Sequence, residues 1–354
     1  MKLYRYVLKA VSLRILVAGL ILLAVMQILD LLEVTPDIIK RGLGAAGMAH
    51  YAFLRLPRLI DQAAPLSVLT GVIFAFMKLA GDSQIVAIRA SGVSVYRLTA
   101  MALPVVLAVM ALDFVATEVV APRTDPMLQA WWSATAPADA RPTVKPHAFR
   151  VGSDVVVAAP GDTEGRALTD VKIYRRDATG RLVERIQAAT AIYAGEGGWR
   201  LENPQFARFT SGGVNLGVAG QMTWASAFRP RDVRALFAGD QRVSAASAAR
   251  ALAGGGSERP PSYYATHLQR SVAHPLGALV MLILAAPVAL ANFRSGQGGV
   301  FVVGSLVSGL VFLVADGVLT AMGESGAVAP VLAAWTAPMV FAALGATALL
   351  KLEG

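Results

Sequence analysis

Hydrophobic residues along this chain form long unbroken runs toward both ends and short alternating runs in the middle. Six of the long runs cover the roughly 17–25 residues that a helix needs to cross a bilayer. They fall at residues 13–32, 62–79, 98–120, 268–291, 300–322 and 329–350. The last three are rich in Gly and Ser, which let helices approach closely where lipid is as apolar as the helices themselves. Between the third and fourth runs the pattern changes to period two. Stretches such as DVVVAA, DVKIYRR and WRLENPQFARFT are separated by PGDTEG, DATG and GEGG. Alternation punctuated by Gly and Asp predicts short antiparallel strands, here over residues 144–228. The segment AASAARALAGGGSERPPSY then predicts a helix and a Gly/Pro linker returning to the apolar part. The pattern therefore divides the chain into 1–121 (three spans), 122–265 (a β domain and linker) and 266–354 (three spans).

One polar stretch does not fit a loop. KLAGDSQIVAIRASGVSVYRL, residues 78–98, lies between the second and third spans. Ile85, Ile88 and Val93 are spaced as one apolar face of a short helix, and Ser91-Gly92 reads as its stop. A helix is predicted from Ser83 to Val93, with Ile85, Ile88 and Ala87 on a face that either docks on a partner or lies at the lipid interface, and Arg89 at its rim.

Composition supports an integral membrane protein. Of 354 residues, 55% are hydrophobic and only 16% charged, where soluble domains carry about a quarter. There is no cysteine, which excludes disulfides, thiolate metal sites and thiol nucleophiles. The net charge of +9 lacks the aromatic interleaving of a nucleic-acid surface and suits loops facing anionic lipid. Lys2, Arg5, Lys9 and Arg14, then Lys78, Arg89 and Arg97, then Arg294 and Lys351 fall on one side of the membrane, the cytoplasmic side. The β domain is then expected outside the inner membrane, in the periplasm of a Gram-negative cell. Lys40, Arg41, Arg55 and Arg58 break the charge rule, because the pattern puts them in the connection between the first two spans, on the outer side. They are expected to meet an anionic headgroup.

Catalytic patterns are missing. No G-x-x-x-x-G-K-[ST] loop and no G-x-S-x-G elbow occurs, and His50, His147, His267 and His274 have no zinc spacing. No cofactor, no metal and no enzymatic activity is expected of this chain. Asp113, Glu118 and Asp316 lie within or at the ends of spans, where a charge is costly; they fit either pairing between helices or a transport role. From the residues alone, a membrane scaffold and a secondary transporter both stay open.

Six short stretches, in order, carry a resemblance. LRLPRLIDQAAPLSVLTG enters the second span, DSQIVAIRASGVS follows it, and TEVVAP closes the third. HPLGALVMLILAAP lies in the fourth, FRSG follows it, and APVLAAWTAP lies in the sixth. The chain resembles the LptF/LptG permeases of lipopolysaccharide export over nearly its whole length, and IRASGVS with the acidic ILDLLE looks more like LptG than LptF. The resemblance implies six transmembrane helices with an inserted periplasmic jellyroll-like β domain. It also implies an LptB-like ATPase dimer that uses the ATP, an LptF-like permease partner, LptC- and LptA-like periplasmic jellyrolls, and lipopolysaccharide as cargo. By that likeness Asp82, Ser83, Gln84, Ile85, Ile88, Arg89 and Gly92 would couple to the ATPase, and Lys40, Arg41, Arg55 and Arg58 would meet lipid phosphates. Gln84 departs from the family, which usually has Glu after this Ser.

Overall fold

The computed structural model describes residues 2–137, 146–177, 179–195, 198–210, 212–237, 243–290 and 298–353. The chain divides into a helical unit, Met1–Leu128 with Thr266–Gly354, and a second unit, Gln129–Ala265.

The helical unit begins with two long antiparallel helices, α1 (Lys2–Lys40) and α2 (Gly44–Gly81). At about 1.5 Å per residue, the 39 residues of α1 reach well beyond a hydrocarbon layer of about 30 Å. The predicted outer loop is therefore corrected: only residues 41–43 connect the two helices, and Arg55 and Arg58 lie inside α2. Gly42 and Gly44 take φ of +70° and +58° there, a conformation that glycine adopts without strain.

The two helices approach most closely at Gly71. A Cβ on that residue would stand 2.5 Å from the Ile15 Cα, which is backbone and cannot swing aside, whereas one on Gly19 would meet Ser67 at an ordinary 3.4 Å. Gly71→Val should therefore push α1 and α2 apart at a cost of about 1–3 kcal/mol, while Gly19→Ala is tolerated. Thermal unfolding of the two variants in detergent checks this; equal melting temperatures would contradict it.

After α2 come α3 (Gln84–Ala90) and α4 (Val95–Ala100), then α5 (Leu103–Val115), a π segment at Ala116–Val120 and α6 (Ala121–Ala134). The π segment carries the wide bond Ala121 N–H to Ala116 O and precedes Pro122, which has no N–H to give the turn before it. The expected fourth span is broken into α9 (Pro261–Ala273) and α10 (Leu276–Ala285), the latter continued by a 3-10 turn at Ala286–Leu290 and bent by 53° from α9. Pro275 explains the break, since its ring disfavours a helical residue before it and removes a hydrogen bond. Ala291, the expected end of that span, and Arg294 lie outside the described residues. The unit closes with α11 (Gly298–Glu324) and α12 (Pro330–Glu353). Among the described residues five helices are long and apolar enough to cross a membrane, and six spans result if the bent pair counts as one. Their shared core joins Val11 and Ile15 of α1 to Leu69, Val72 and Phe76 of α2 and Met281 of α10.

The second unit holds an antiparallel eight-stranded sheet: β1 (His147–Val151), β2 (Asp154–Pro160), β3 (Ala167–Arg176), β4 (Leu182–Tyr193), β5 (Trp199–Glu202), β6 (Gln205–Thr210), β7 (Gly213–Val218) and β8 (Gln221–Trp224). Val144, the expected start of the β region, lies outside the described residues. The long β4 pairs β3 along one side and is shared by β5 and β6 on the other. Registers align Phe149, Val156, Ile173, Ile186 and Phe206 in one row across five strands, and period two then sends them all to one face. In keeping with that row, Val156 and Ala158 of β2 are buried, while Val155 and Val157 are half-buried on the other face, and Ile192 of β4 is exposed. Trp199, Trp224 and Phe228 close the core, with Trp199 Nε1 donating to the Phe228 carbonyl at 2.9 Å. Two short helices, α7 (Pro230–Phe237) and α8 (Ala245–Leu252), follow the sheet.

Candidate functional site

The polar stretch after α2 is ordered as its amphipathic pattern predicts, but more briefly. α3 covers Gln84–Ala90, entered through Ser83 at φ +61° and left through Gly92 at φ +83°. Ile85 (3% exposed) and Ile88 are buried, and both belong to the core of this chain, beside Leu79, Val95 and Leu98. The expectation that these isoleucines lie against a partner is corrected. An apolar stripe on a short helix is satisfied first by the bundle next to it, and here α2 and α4 supply the cover. The outward face consists of Val86 (68% exposed), Ala87, Arg89 and Ala90. Gln84 accepts a hydrogen bond from the Tyr6 hydroxyl at 2.8 Å, and Asp82 pairs with Lys78 at 3.0 Å. α3 is thus fixed to α1, α2 and α4 with one side left open.

The four basic residues assigned to the outer side are not equivalent. Lys40 ends α1 and is exposed, with Asp37 3.8 Å away; such a surface pair is worth about 0–1 kcal/mol and leaves the ammonium available. Arg41 follows it, half-exposed, with its backbone N–H bonded to the Asp37 carbonyl. Arg55 is not an open cation: it lies across the helix pair on Asp30 at 3.2 Å. One turn along α2, Arg58 is half-buried and its Nε has no partner, as is also true of Gln27 Nε2 one turn before Asp30 on α1. The antiparallel packing that joins Asp30 to Arg55 puts these two orphaned donors on the same helix interface.

The structure assembles a further group that no sequence spacing announces. Asp61 of α2, Asp113 of α5 and His274 at the break between α9 and α10 bring one polar atom each within 4.8 Å of one another. Thr117 of the π segment donates to Asp61 Oδ1 at 3.0 Å. Arg270 of α9 reaches Asp316 of α11 at 2.8 Å, bonds Thr320, and donates to His274 Nδ1 at 3.0 Å. The wide π turn and the proline break both lie beside this cluster, where irregular backbone turns side chains inward. Asp113 and Asp316 stand out as deep acids in the sequence, and Arg270 is the partner of the second. Asp61 escapes notice because it precedes the apolar run, and His274 because it reads as an interfacial histidine.

A divalent cation is the first reading of two carboxylates and an imidazole. The hydrogen bonds argue against it. A guanidinium only donates, so Nδ1 of His274 is an acceptor and the ring proton sits on Nε2, the atom that faces Asp61 at 3.2 Å. Nε2 then has no lone pair for a metal.

No curated protein matches the chain. The family model described as lipopolysaccharide export system permease LptF/LptG matches residues 5–351. That match takes in both helical segments and the whole β unit between them, as a multi-pass membrane protein with an inserted antiparallel sheet requires. The chain belongs to the LptF/LptG family of lipopolysaccharide export permeases.

Proposed function

We propose that this chain is one permease half of an ATP-driven exporter that extracts lipopolysaccharide from the inner membrane and passes it to periplasmic β domains. The observation that carries the reading is α3, a short helix anchored by Ile85 and Ile88 with Val86, Ala87 and Arg89 facing outward. A chain without a phosphate-binding loop takes its work from another subunit, and an anchored helix transmits a push that a free loop would absorb. An LptB-like ATPase dimer is the proposed source, with an LptF-like permease completing the pair. IRASGVS, which begins at the end of α3, and the acidic ILDLLE of α1 support the LptG role for this chain, the LptF-type role in the same complex being the alternative. The β unit faces the periplasm in this arrangement. Its β7 exposes Val214, Leu216 and Val218 and pairs only β6 among the described strands, which suits addition of a strand from an LptC- or LptA-like jellyroll. Beside it Phe206, Leu216 and Val218 line a groove of about 390 Å³, wide enough for acyl chains.

Vesicles holding the chain with its partner subunits provide the test. Lipopolysaccharide release should require both ATP and the ATPase; release that continues without ATP would overturn the reading.

Lys40 and Arg41 are the outward cations proposed to meet the lipid phosphates, with Arg58 and Gln27 as donors deeper between the helices. Lys40→Glu with Arg41→Glu should lower crosslinking to lipopolysaccharide several-fold and leave the complex assembled, since Lys40 is exposed at the end of α1 and Arg41 half-exposed just after it. Arg55→Glu should instead destabilise the α1–α2 pair by facing Asp30 with a second carboxylate. Unchanged crosslinking in the double variant would remove Lys40 and Arg41 from the substrate path.

A further inference from the structure

We propose that a groove between α1 and α5 holds one acyl chain of an anionic glycerophospholipid, with Lys9 and Arg5 of α1 on its phosphate. Three helices of the helical unit frame this groove of about 350 Å³. Leu16 and Leu20 of α1 form one wall, Ala108 and Leu112 of α5 the other, and Ala63 and Ala64 of α2 the floor. The small floor residues leave a depth that larger side chains would fill. Ser12 and Ser67 also border the groove, but Ser12 Oγ donates to the Lys9 carbonyl at 3.2 Å and Ser67 Oγ to the Ala64 carbonyl at 2.7 Å. Both hydroxyls turn back to their own helix, so the lining offers carbon to an occupant.

The dimensions suit one extended hydrocarbon chain. The groove follows α1 from Ser12 to Leu23, about 16 Å at 1.5 Å per residue. One leaflet of a hydrocarbon layer of about 30 Å is about 15 Å deep. Ser12 stands just before the apolar run of α1, so the groove opens at the membrane surface and ends near the middle of the bilayer. One turn of a helix 10–12 Å across would need roughly 400–600 Å³, more than the whole groove. A chain of methylenes therefore fits better than a partner's helix. Leu16, Leu20, Ala108 and Leu112 are all exposed, which turns the lips of the groove toward lipid.

Charge marks which end takes the headgroup. Lys2, Arg5, Lys9, Ser12 and Leu16 succeed one another at intervals of three and four residues and so share one face of α1. That face is cationic as far as Lys9 and becomes the groove wall beyond Ser12. Lys2, Arg5 and Lys9 are exposed. Helical side chains lean toward the N-terminus, so Arg5 and Lys9 reach past the Ser12 end of the groove, where a phosphate would lie. α1 has no carboxylate before Asp30, α4 has none, and α5 has none before Asp113. Asp82, at the end of α2, is paired with Lys78 at 3.0 Å. A phosphate held by charge-assisted hydrogen bonds just above an apolar chain matches both parts of this face. A lipid seated there fills the space between two helices that both pack on α2, and stabilises the folded bundle by mass action.

Native mass spectrometry of the full chain, after exchange in detergent against equal amounts of phosphatidylglycerol and phosphatidylcholine, tests the site. One phosphatidylglycerol per chain should be retained, several-fold over phosphatidylcholine. Ala108→Phe, which fills the groove from an exposed position, should lose the retained lipid. Arg5→Gln with Lys9→Gln should bring the two lipids to equal retention. Phosphatidylglycerol with a photoreactive group in its acyl chain should label residues 12–23 and 105–112 of the wild-type chain more than the exposed Val314 of α11. Should Ala108→Phe not fold, wild-type selectivity and the labelled positions decide. Equal retention of the two lipids by the wild type overturns the proposal. So does a phosphatidylglycerol adduct undiminished in a folded Ala108→Phe, labelling no stronger in the groove than at Val314, or added lipopolysaccharide taking the groove in preference to phosphatidylglycerol.

Discussion

Ile85→Asp is expected to cost the chain its folded helical unit, and not merely a partner. Ile85 is 3% exposed and belongs to the core shared by α1, α2, α4 and α10. Replacing it removes roughly 2–3 kcal/mol of apolar burial and puts a carboxylate where nothing pairs it. The sum should exceed about 4 kcal/mol, a size reserved for few kinds of substitution. Val86→Asp, one residue on, changes a side chain that is 68% exposed and should leave the melting temperature within a few degrees of wild type. It should nevertheless abolish capture of the ATPase. Thermal unfolding and pull-down on the same two preparations separate the effects. If Ile85→Asp melts like wild type yet loses the ATPase, the isoleucine face is the docking face and the account of α3 is wrong.

Arg270→Ala should have the second large effect. Arg270 and Asp316 meet at 2.8 Å with their side chains only 17% and 14% exposed, and Arg270 also holds Thr320 and His274. Removing the guanidinium leaves Asp316 as an uncompensated charge among apolar helices, at a cost of about 3–5 kcal/mol. The second change Asp316→Leu should restore most of that loss, because an apolar pair avoids the desolvation of both ions. Melting temperatures of the single and double variants in detergent test this. A double variant as unstable as Arg270→Ala would show that Arg270 acts through its other partners.

The long apolar runs were legible because lipid leaves a spanning backbone few choices, and the β region because Gly and Asp turns punctuate a period of two. The connection after α1 was misjudged, since the amphiphilic segments on either side of residues 41–43 continue as helix past the apolar limits. His274-Pro275 carried the signal of a break, yet a run of apolar residues on its far side hid it. The stripe of Ile85 and Ile88 was visible, but an apolar face looks the same whether the chain or a partner covers it. The cluster of Asp61, Asp113 and His274 could not be seen at all. Its members come from three separate helices, and only the packing of α2, α5 and α9 brings them together.

In the proposed exporter, α3 hands force from an ATPase to this bundle through its outward face. The chain has no cysteine, so Val86→Cys supplies a unique thiol at the middle of that face. Reacted with a short photoactivatable crosslinker in vesicles that release lipopolysaccharide on ATP addition, residue 86 should form a covalent adduct with the ATPase. Leu56→Cys, exposed on α2 far from α3 along the helix, should form none. An exporting complex in which residue 86 yields no ATPase adduct, or no more than residue 56, would contradict the account.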